Sequence, residues 1–165
     1  MPRFLIVAGL VCVSVAGCDD RTVDGPPVLR VGRDECAGCG MLIAEDRCAA
    51  ACLVERDGVR EPMVFDDLGC LLDYERDLPA GARVVSRFAR DYDARAWLSC
   101  DAATFLWTGD GVHTPMGSGI IAFADRAAAE QAHAAHAGEV IAWPEVVTRR
   151  TRHMHEQFGA PRATP

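Results

Sequence analysis

The sequence contains no lysine. This absence excludes a Schiff-base lysine and the phosphate-binding lysine of a P-loop. Basic charge is scarce as well, because 17 arginines face 24 acidic residues, which gives a formal net charge of −7. Such an acidic balance argues against nucleic acid as a partner. No Ser-His-Asp grouping, glycine-rich phosphate loop or convincing pair of catalytic acids stands out either, so the composition does not favour an enzyme.

A long hydrophobic run is also missing. The apolar stretch F-L-I-V-A-G-L-V-C-V-S-V after Arg3 is too short to span a bilayer and is typical of a signal-peptide core. It ends in V-A-G-C, where small residues precede Cys18 as in a bacterial lipobox. We therefore expect a signal peptide at residues 1–17, lipidation of Cys18, and a lipid-anchored protein on the periplasmic side of the cell envelope. Asp19 favours the inner membrane. The alternative is an ordinary secretion signal with a chance cysteine.

Two stretches of the chain share one order of predicted elements. In the first, an Asp-Gly pair between extended runs indicates a hairpin, and an acid-capped helix follows. Phe65 and Asp67 are then matched by Phe123 and Asp125 in the second stretch, which repeats strand, capped helix and strand. We therefore predict the α+β class, with a tandem pair of β-β-α-β modules after a signal peptide and a polar tether. The predicted parts are a tether at 18–34, modules at 35–92 and 93–146, and a flexible C-terminal tail at 147–165. The second module is expected to open with an extended run at 95–100.

Beyond the predicted lipidation site the chain holds an even number of cysteines, which in an exported protein first suggests disulfides. They are Cys36, Cys39, Cys48, Cys52, Cys70 and Cys100. The C-A-G-C motif at 36–39 also matches half of a zinc site, but neither a second C-x-x-C nor a histidine pair supplies the missing ligands. A thioredoxin-like dithiol would open a helix, whereas a glycine directly follows the second cysteine.

The third interpretation of this stretch is a soft-metal site. Thiolate and thioether donors together favour Cu(I) over zinc. In an extended segment, alternation would place Cys39 and Met41 on the same side, so that two sulfurs could bind one ion. We expect a third sulfur from Met116, which lies between proline and glycine in the loop H-T-P-M-G-S-G. Cys36 and His113 are candidate additional ligands, and Cys36 is alternatively the disulfide partner of Cys39 when copper is absent.

Several other chemically notable residues are expected to be structural. Cys70 lies on the apolar face of the first predicted helix, where a buried thiol is typical. Asp66 and Asp67 are expected to cap that helix and occupy its first turn. The H-M-H sequence at 153–155 is a weaker candidate for loose copper capture.

Three motifs resemble those of the NosL-type nitrous oxide reductase accessory proteins. They are C-x-x-C-G-M near the predicted start of the folded part, F-D-D-x-G-C in the first module, and T-P-M-G-S-G-x-x-A-F-A-D in the second. They occur in the family's order, and the resemblance runs from Cys36 to Trp143. Carried over to this chain, the family's C-x-M pair falls on Cys39 and Met41, and the methionine of its P-M-G loop falls on Met116.

This resemblance implies a membrane-anchored, extracytoplasmic copper chaperone rather than an enzyme. The family binds one Cu(I) and passes it towards the copper centres of nitrous oxide reductase, through an ABC-type maturation complex with a periplasmic subunit. Cys48, Cys52 and Cys100 lie outside the family pattern. Two other functions remain open from the sequence: an exported C-x-x-C thiol-disulfide oxidoreductase, and a disulfide-stabilised structural lipoprotein without metal.

Overall fold

The computed structural model describes residues 23–159, so the predicted signal peptide and the lipidation site Cys18 lie outside the described residues. Within this range the chain forms two antiparallel sheets and three α-helices, which confirms the predicted α+β class. The elements in chain order are β1 Ala50–Arg56, β2 Val59–Phe65, α1 Leu68–Arg76, β3 Arg83–Arg90, β4 Trp97–Ser99, β5 Thr104–Trp107, β6 Ile120–Phe123, α2 Arg126–Ala135, β7 Glu139–Ala142 and α3 Trp143–Phe158.

The first sheet has the strand order β2-β1-β3-β4. Asp57 and Gly58 connect β1 to β2 with φ angles of 53° and 78°. Positive φ at both central residues is the requirement of a type I′ hairpin turn, which explains why Asp-Gly stands there. β1 lies in the middle of the sheet and is almost entirely buried. Helix α1 follows β2 directly, and Asp67 caps it by accepting a hydrogen bond from the Gly69 amide.

The second sheet repeats this order of elements with the strand order β6-β5-β7. β5 and β6 are antiparallel neighbours, α2 follows β6, and β7 returns to pair with β5. Asp125 caps α2 by accepting a hydrogen bond from the Ala128 amide, which corresponds to the role of Asp67 in the first module. The two β-β-α-β units therefore occur in tandem, each with an aspartate at the N-cap of its helix.

The run at 95–100 does not open the second module as predicted. Its strand β4 pairs with β3, so it is the edge of the first sheet, and β5 opens the second unit. The reason is a tight turn after β3, in which the Asp91 carboxylate accepts hydrogen bonds from the amides of Asp93 and Ala94. The chain therefore doubles back, and the Arg90 guanidinium stacks 4.3 Å from the centre of the Trp97 ring.

The predicted flexible tail is also wrong over most of its length, because residues 147–158 belong to α3. Val146 is fully buried and Met154 is 8 % exposed, so an apolar stripe at helical spacing faces the core. The Arg150 guanidinium donates two hydrogen bonds to the Asp73 carboxylate of α1, from Nε at 3.1 Å and from Nη2 at 2.7 Å. The arginine-rich composition of this segment concealed the stripe.

One hydrophobic core joins the two modules. Phe65 from the first module and Phe105, Ile120 and Val146 from the second lie in the same buried cluster. The end of the predicted tether also packs onto the first module, since the Gly32 amide donates to the Ile43 carbonyl oxygen. The folded part therefore begins before residue 35. Within residues 23–159, no helix is long and apolar enough to cross a bilayer.

Candidate metal centre

The C-A-G-C-G-M stretch forms a tight loop rather than the extended segment assumed from the sequence. The Cys36 amide donates to the Met41 carbonyl oxygen and the Gly40 amide to the Cys36 carbonyl oxygen, both at 2.8 Å. Gly40 has a φ of 75°, so the chain reverses between Cys39 and Met41. The Ala37 amide binds the Val64 carbonyl oxygen at 2.9 Å, which fixes the loop to the end of β2.

This loop meets the start of α1 at a cluster of sulfur atoms. The Sγ atoms of Cys36, Cys39 and Cys70 and a carboxylate oxygen of Asp66 all lie within 4.8 Å of one another. The close approach depends on Gly38, because a Cβ there would stand 3.0 Å from the Cys70 carbonyl oxygen and 3.2 Å from its Cβ. A glycine at this position therefore lets the loop settle onto the helix.

The three thiols of the cluster differ in acidity. A hydrogen bond from the Cys70 thiol lowers the pKa of Cys36 to about 6. The same hydrogen bond, together with burial, raises the pKa of Cys70 far above its usual range. Desolvation raises the pKa of Cys39, although Cys39 is the exposed member of the cluster and Cys36 and Cys70 are buried. The hydrogen bond therefore favours the charged form of Cys36 and the protonated form of Cys70.

Asp66 belongs to this cluster and does not cap α1 as the sequence suggested. It is 3 % exposed, and its Oδ2 accepts a hydrogen bond from the Cys39 thiol with an S–O distance of 3.6 Å. Its Oδ1 is buried and has no hydrogen-bond partner among the described residues. An unpartnered buried carboxylate oxygen is costly, so a cation beside it would be stabilised.

The P-M-G loop of the second module is held against the cluster by Asp67, which is fully buried. Asp67 Oδ2 accepts hydrogen bonds from the Thr114 hydroxyl at 2.6 Å, the Met116 amide at 3.2 Å and the Ser118 amide at 3.4 Å. Its Oδ1 accepts from the Gly69 amide at 2.5 Å. One carboxylate therefore caps the helix of the first module and binds the loop of the second.

A surface cavity shows which sulfurs this arrangement brings together. Cys39, Cys70 and Met116 line it, with Gly38 at its wall. The cavity's remaining lining residues include two aspartates, each paired with an arginine: Asp73 with Arg150 and Asp77 with Arg76. These acids are therefore neutralised, and the free donors that the cavity offers are mainly sulfur.

The structure places some of the predicted ligands at one cavity and others outside its lining. Cys39 and Met116 share the cavity, whereas Met41 lies on the returning arm of the loop, outside the cavity lining, and is 48 % exposed. Cys36 joins the cluster from the buried side. His113 is exposed, while its neighbour Thr114 is buried and bound to Asp67.

Cys70 and Asp66 are the site residues that sequence reasoning missed. Both lie in the F-D-D-x-G-C motif, which was interpreted only as a cap and a buried thiol. The signal that could have identified them is the juxtaposition of an acid and a cysteine at a strand-to-helix junction. The zinc interpretation lacked two further ligands, and the structure brings Cys70 and Asp66 beside Cys36 and Cys39. Three thiols and a carboxylate suit either Zn²⁺ or Cu(I), and the adjacent thioether favours Cu(I).

The other thiols of residues 23–159 are buried and free. Burial raises the pKa of Cys48 and of Cys52 to about 12, and also raises that of Cys100. Desolvated thiols of this kind are poor nucleophiles, and none of these three belongs to the sulfur cluster. In helix α3, Met154 is buried while His153 and His155 are exposed, so the H-M-H sequence does not present its three side chains together.

Comparison with known proteins agrees with the motifs. The family model described as NosL matches residues 28–150. The crystal structure of the copper chaperone NosL from Shewanella denitrificans is similar at a TM-score of 0.58 and 19 % identity, over 74 % of this chain and 96 % of that one. The solution structure of apo-NosL from Achromobacter cycloclastes is 21 % identical over 58 % of this chain and 82 % of that one, with a TM-score of 0.44. No curated protein matches. The span of the family match shows that the chain belongs to the NosL family.

Proposed function

We propose that this protein is an extracytoplasmic Cu(I) chaperone, and not an enzyme, that delivers copper for assembly of the copper centres of nitrous oxide reductase. One observation carries the proposal: Met116, from the second module, lines the same cavity as Cys39 and Cys70 from the first. A thioether beside thiols is a donor set for Cu(I) rather than for a hard cation. The similar Shewanella protein is itself described as a copper chaperone.

The copper ligands that we propose are Cys39, Met41 and Met116, with Cys36 as an additional thiolate. Copper is the cargo, so the site must release it as well as hold it. Cys39 and the two methionines are exposed, with Met116 at 44 %. A ligand from a partner can therefore reach the ion and bind before an outgoing thioether leaves, which avoids a free-ion intermediate. Low coordination numbers make such associative exchange of Cu(I) possible.

The partner and the location are part of the same proposal. A lipid chain on Cys18 would hold the domain at the periplasmic side of a membrane, with the inner membrane favoured by Asp19. There the protein would meet the periplasmic subunit of an ABC-type maturation complex and pass copper directly or indirectly to nitrous oxide reductase. The net charge of −7 suits docking to a basic surface. Complex formation should then weaken as salt rises, and an affinity independent of ionic strength would argue against this docking mode.

The test is an anaerobic Cu(I) titration of the reduced full-length chain in detergent, in competition with a high-affinity Cu(I) chelator. We expect one tight site, the largest loss of affinity for Cys39→Ala, and smaller losses for Met41→Ala and Met116→Ala. Cys52→Ser is the matched control, because Cys52 is a buried thiol outside the cluster. Unchanged affinity in both methionine variants would exclude the three-sulfur site even if copper bound. Preference for Zn²⁺ over Cu(I) would exclude the chaperone function proposed.

The thiol oxidoreductase alternative is disfavoured by burial. The acidic thiol is Cys36, at 2 % exposure, whereas an attacking thiolate must reach a substrate disulfide. The exposed thiol is Cys39, and its pKa is raised rather than lowered. Turnover in an insulin-reduction assay that survives Met41→Ala and disappears with Cys39→Ala would overturn this assignment.

A further inference from the structure

The sulfur-bearing side chains of the site fall into two groups that differ in exposure. Cys36 and Cys70 form an inner group, at 2 % and 8 % exposure, with their Sγ atoms within 4.8 Å of the Cys39 sulfur. Met41 and Met116 form an outer group, at 48 % and 44 % exposure. Cys39 is the exposed thiol that both groups can share, and it lines the cavity together with Cys70 of the inner group and Met116 of the outer group.

Cu(I) binds two or three sulfur ligands, so the five sulfurs cannot all hold one ion at once. We propose that copper has two alternative positions in this protein: an outer one on Cys39, Met41 and Met116, and an inner one on Cys39, Cys36 and Cys70. The inner position retains the ion away from solvent, and the outer position presents it to a partner. This inference rests on the proposed function, since it assumes that Cu(I) is the cargo.

Asp66 provides an independent reason to expect a cation on the inner side. Its Oδ1 is buried and has no hydrogen-bond partner among the described residues, while its Oδ2 accepts a hydrogen bond from the Cys39 thiol. A carboxylate is a hard donor and a weak ligand for Cu(I). Its contribution is electrostatic, because a positive ion among the three sulfurs offsets part of the negative charge that the carboxylate and the bound thiolates bring to this buried place.

Movement between the positions needs no oxidation or reduction. The bond between copper and the Cys39 sulfur is kept throughout. The bonds to the Cys36 and Cys70 sulfurs break as bonds to the Met41 and Met116 sulfurs form, and copper remains Cu(I). Any proton that a released thiolate takes up from water is given back when the ion moves inward, so the exchange balances. Each exchange can proceed through a transient state with one extra sulfur ligand.

The experiment is a set of combined substitutions in the reduced full-length chain, with Cu(I) affinity measured by chelator competition without oxygen. The inner arm is removed with Cys36→Ser and Cys70→Ser, which keep the side-chain volume and hydrogen-bonding capacity. The outer arm is removed with Met41→Ala and Met116→Ala. Because either position alone retains the ion, losing one arm should lower the affinity only about two- to tenfold, whereas losing both should lower it more than about 100-fold.

X-ray absorption at the copper edge of the selenomethionine-labelled protein supplies a second readout, because selenium from a methionine ligand scatters differently from the sulfur of a cysteine ligand. The outer-arm variant should show thiolate sulfur only, and the inner-arm variant should show a mixture and lose copper faster to an added chelator. Circular dichroism of each variant, with Cys52→Ser as the matched control, identifies any that fails to fold. For such a variant, single substitutions in the same arm provide the measurement.

The outcomes separate this proposal from the proposed function. If Cys36→Ser and Cys70→Ser leave affinity and copper spectrum unchanged while the methionine variants lose copper, the inner position is wrong and the chaperone function stands. A loss of more than about 100-fold from either arm alone would also refute two alternative positions, since it would show that all these ligands are needed together. If even Cys39→Ala leaves Cu(I) binding unchanged, the proposed function itself fails.

Discussion

Replacing Asp67 by alanine should destabilise the fold much more than replacing Asp125, although both residues cap a helix. Asp67 is fully buried and accepts hydrogen bonds from the Gly69, Met116 and Ser118 amides and from the Thr114 hydroxyl. Asp125 is exposed and accepts one, from the Ala128 amide at 2.9 Å. The pair is a matched comparison, because the two aspartates occupy equivalent positions in the two modules.

The magnitude follows from the donors that would be left behind. An exposed N-cap contributes about 1 kcal/mol, which is the expected cost of Asp125→Ala. Asp67→Ala would leave buried amides and a buried hydroxyl without their acceptor, each at about 1–3 kcal/mol. Water entering the space recovers part of this, so we expect a total of about 3–5 kcal/mol. Such a loss is a large fraction of the roughly 5–15 kcal/mol that stabilises a typical domain.

The assay is urea unfolding of the three proteins, followed by tryptophan fluorescence and circular dichroism. We expect a far lower midpoint for Asp67→Ala than for Asp125→Ala, with similar slopes if both unfold in two states. Asp67→Asn keeps one carbonyl oxygen but places an amide donor against other donors, so an intermediate loss is expected. Equal losses of about 1 kcal/mol in both alanine variants would refute the reasoning, because Asp67 would then act as an ordinary cap.

Three further predictions test the packing around the site. Gly69→Ala should destabilise the protein by about 1–3 kcal/mol in urea unfolding, because the new Cβ would lie 2.9 Å from the Ser118 Cβ. Alanine favours helices more than glycine does, so a stabilised variant would show that α1 and the Ser118 loop are not packed this closely. By the same measurement, Met154→Ala should lower the free energy of unfolding by about 2–5 kcal/mol and His155→Ala by less than about 0.5 kcal/mol, because only the methionine is buried. Equal effects would place α3 away from the core. Alkylation of the native protein, followed by mass spectrometry, should label the exposed Cys39 first. The labelling rate should still rise above pH 9.0, because the pKa of the Cys39 thiol is raised. Early labelling of Cys52, which is buried and has a pKa of about 12, would contradict the burial described.

Local chemistry made much of the fold predictable. The Asp-Gly turn, the two N-cap aspartates and the repeated order of elements all depend on residues close together in sequence, and all occur as expected. The errors concern long-range contacts. Strand β4 joins the first sheet because of a turn held by the Asp91 carboxylate, and helix α3 docks through Arg150 and an apolar stripe hidden among arginines. Neither contact leaves a short-range pattern.

The chemistry of the candidate site could be predicted from the sequence, but not all of its residues could. Softness of the donors pointed to Cys39 and Met116, and the structure places both at one cavity. Alternation along a strand was the wrong basis for adding Met41, because the chain reverses at Gly40. Cys70 was missed because a cysteine on an apolar helix face is ordinarily a packing residue, and only the approach of the C-A-G-C loop gives it sulfur neighbours.

The adjacent acids Asp66 and Asp67 explain how one short motif can serve both groups of sulfur ligands. Asp67 has extended backbone angles of φ −150° and ψ 143°, and consecutive side chains on extended backbone point to opposite sides. Asp66 accordingly binds the Cys39 thiol of the first module, and Asp67 binds the loop that carries Met116 in the second. An extra residue between them would break this division, because both carboxylates would then point to the same side. The F-D-D-x-G-C motif is therefore best understood as the junction that holds the cysteine loop and the methionine loop at one site.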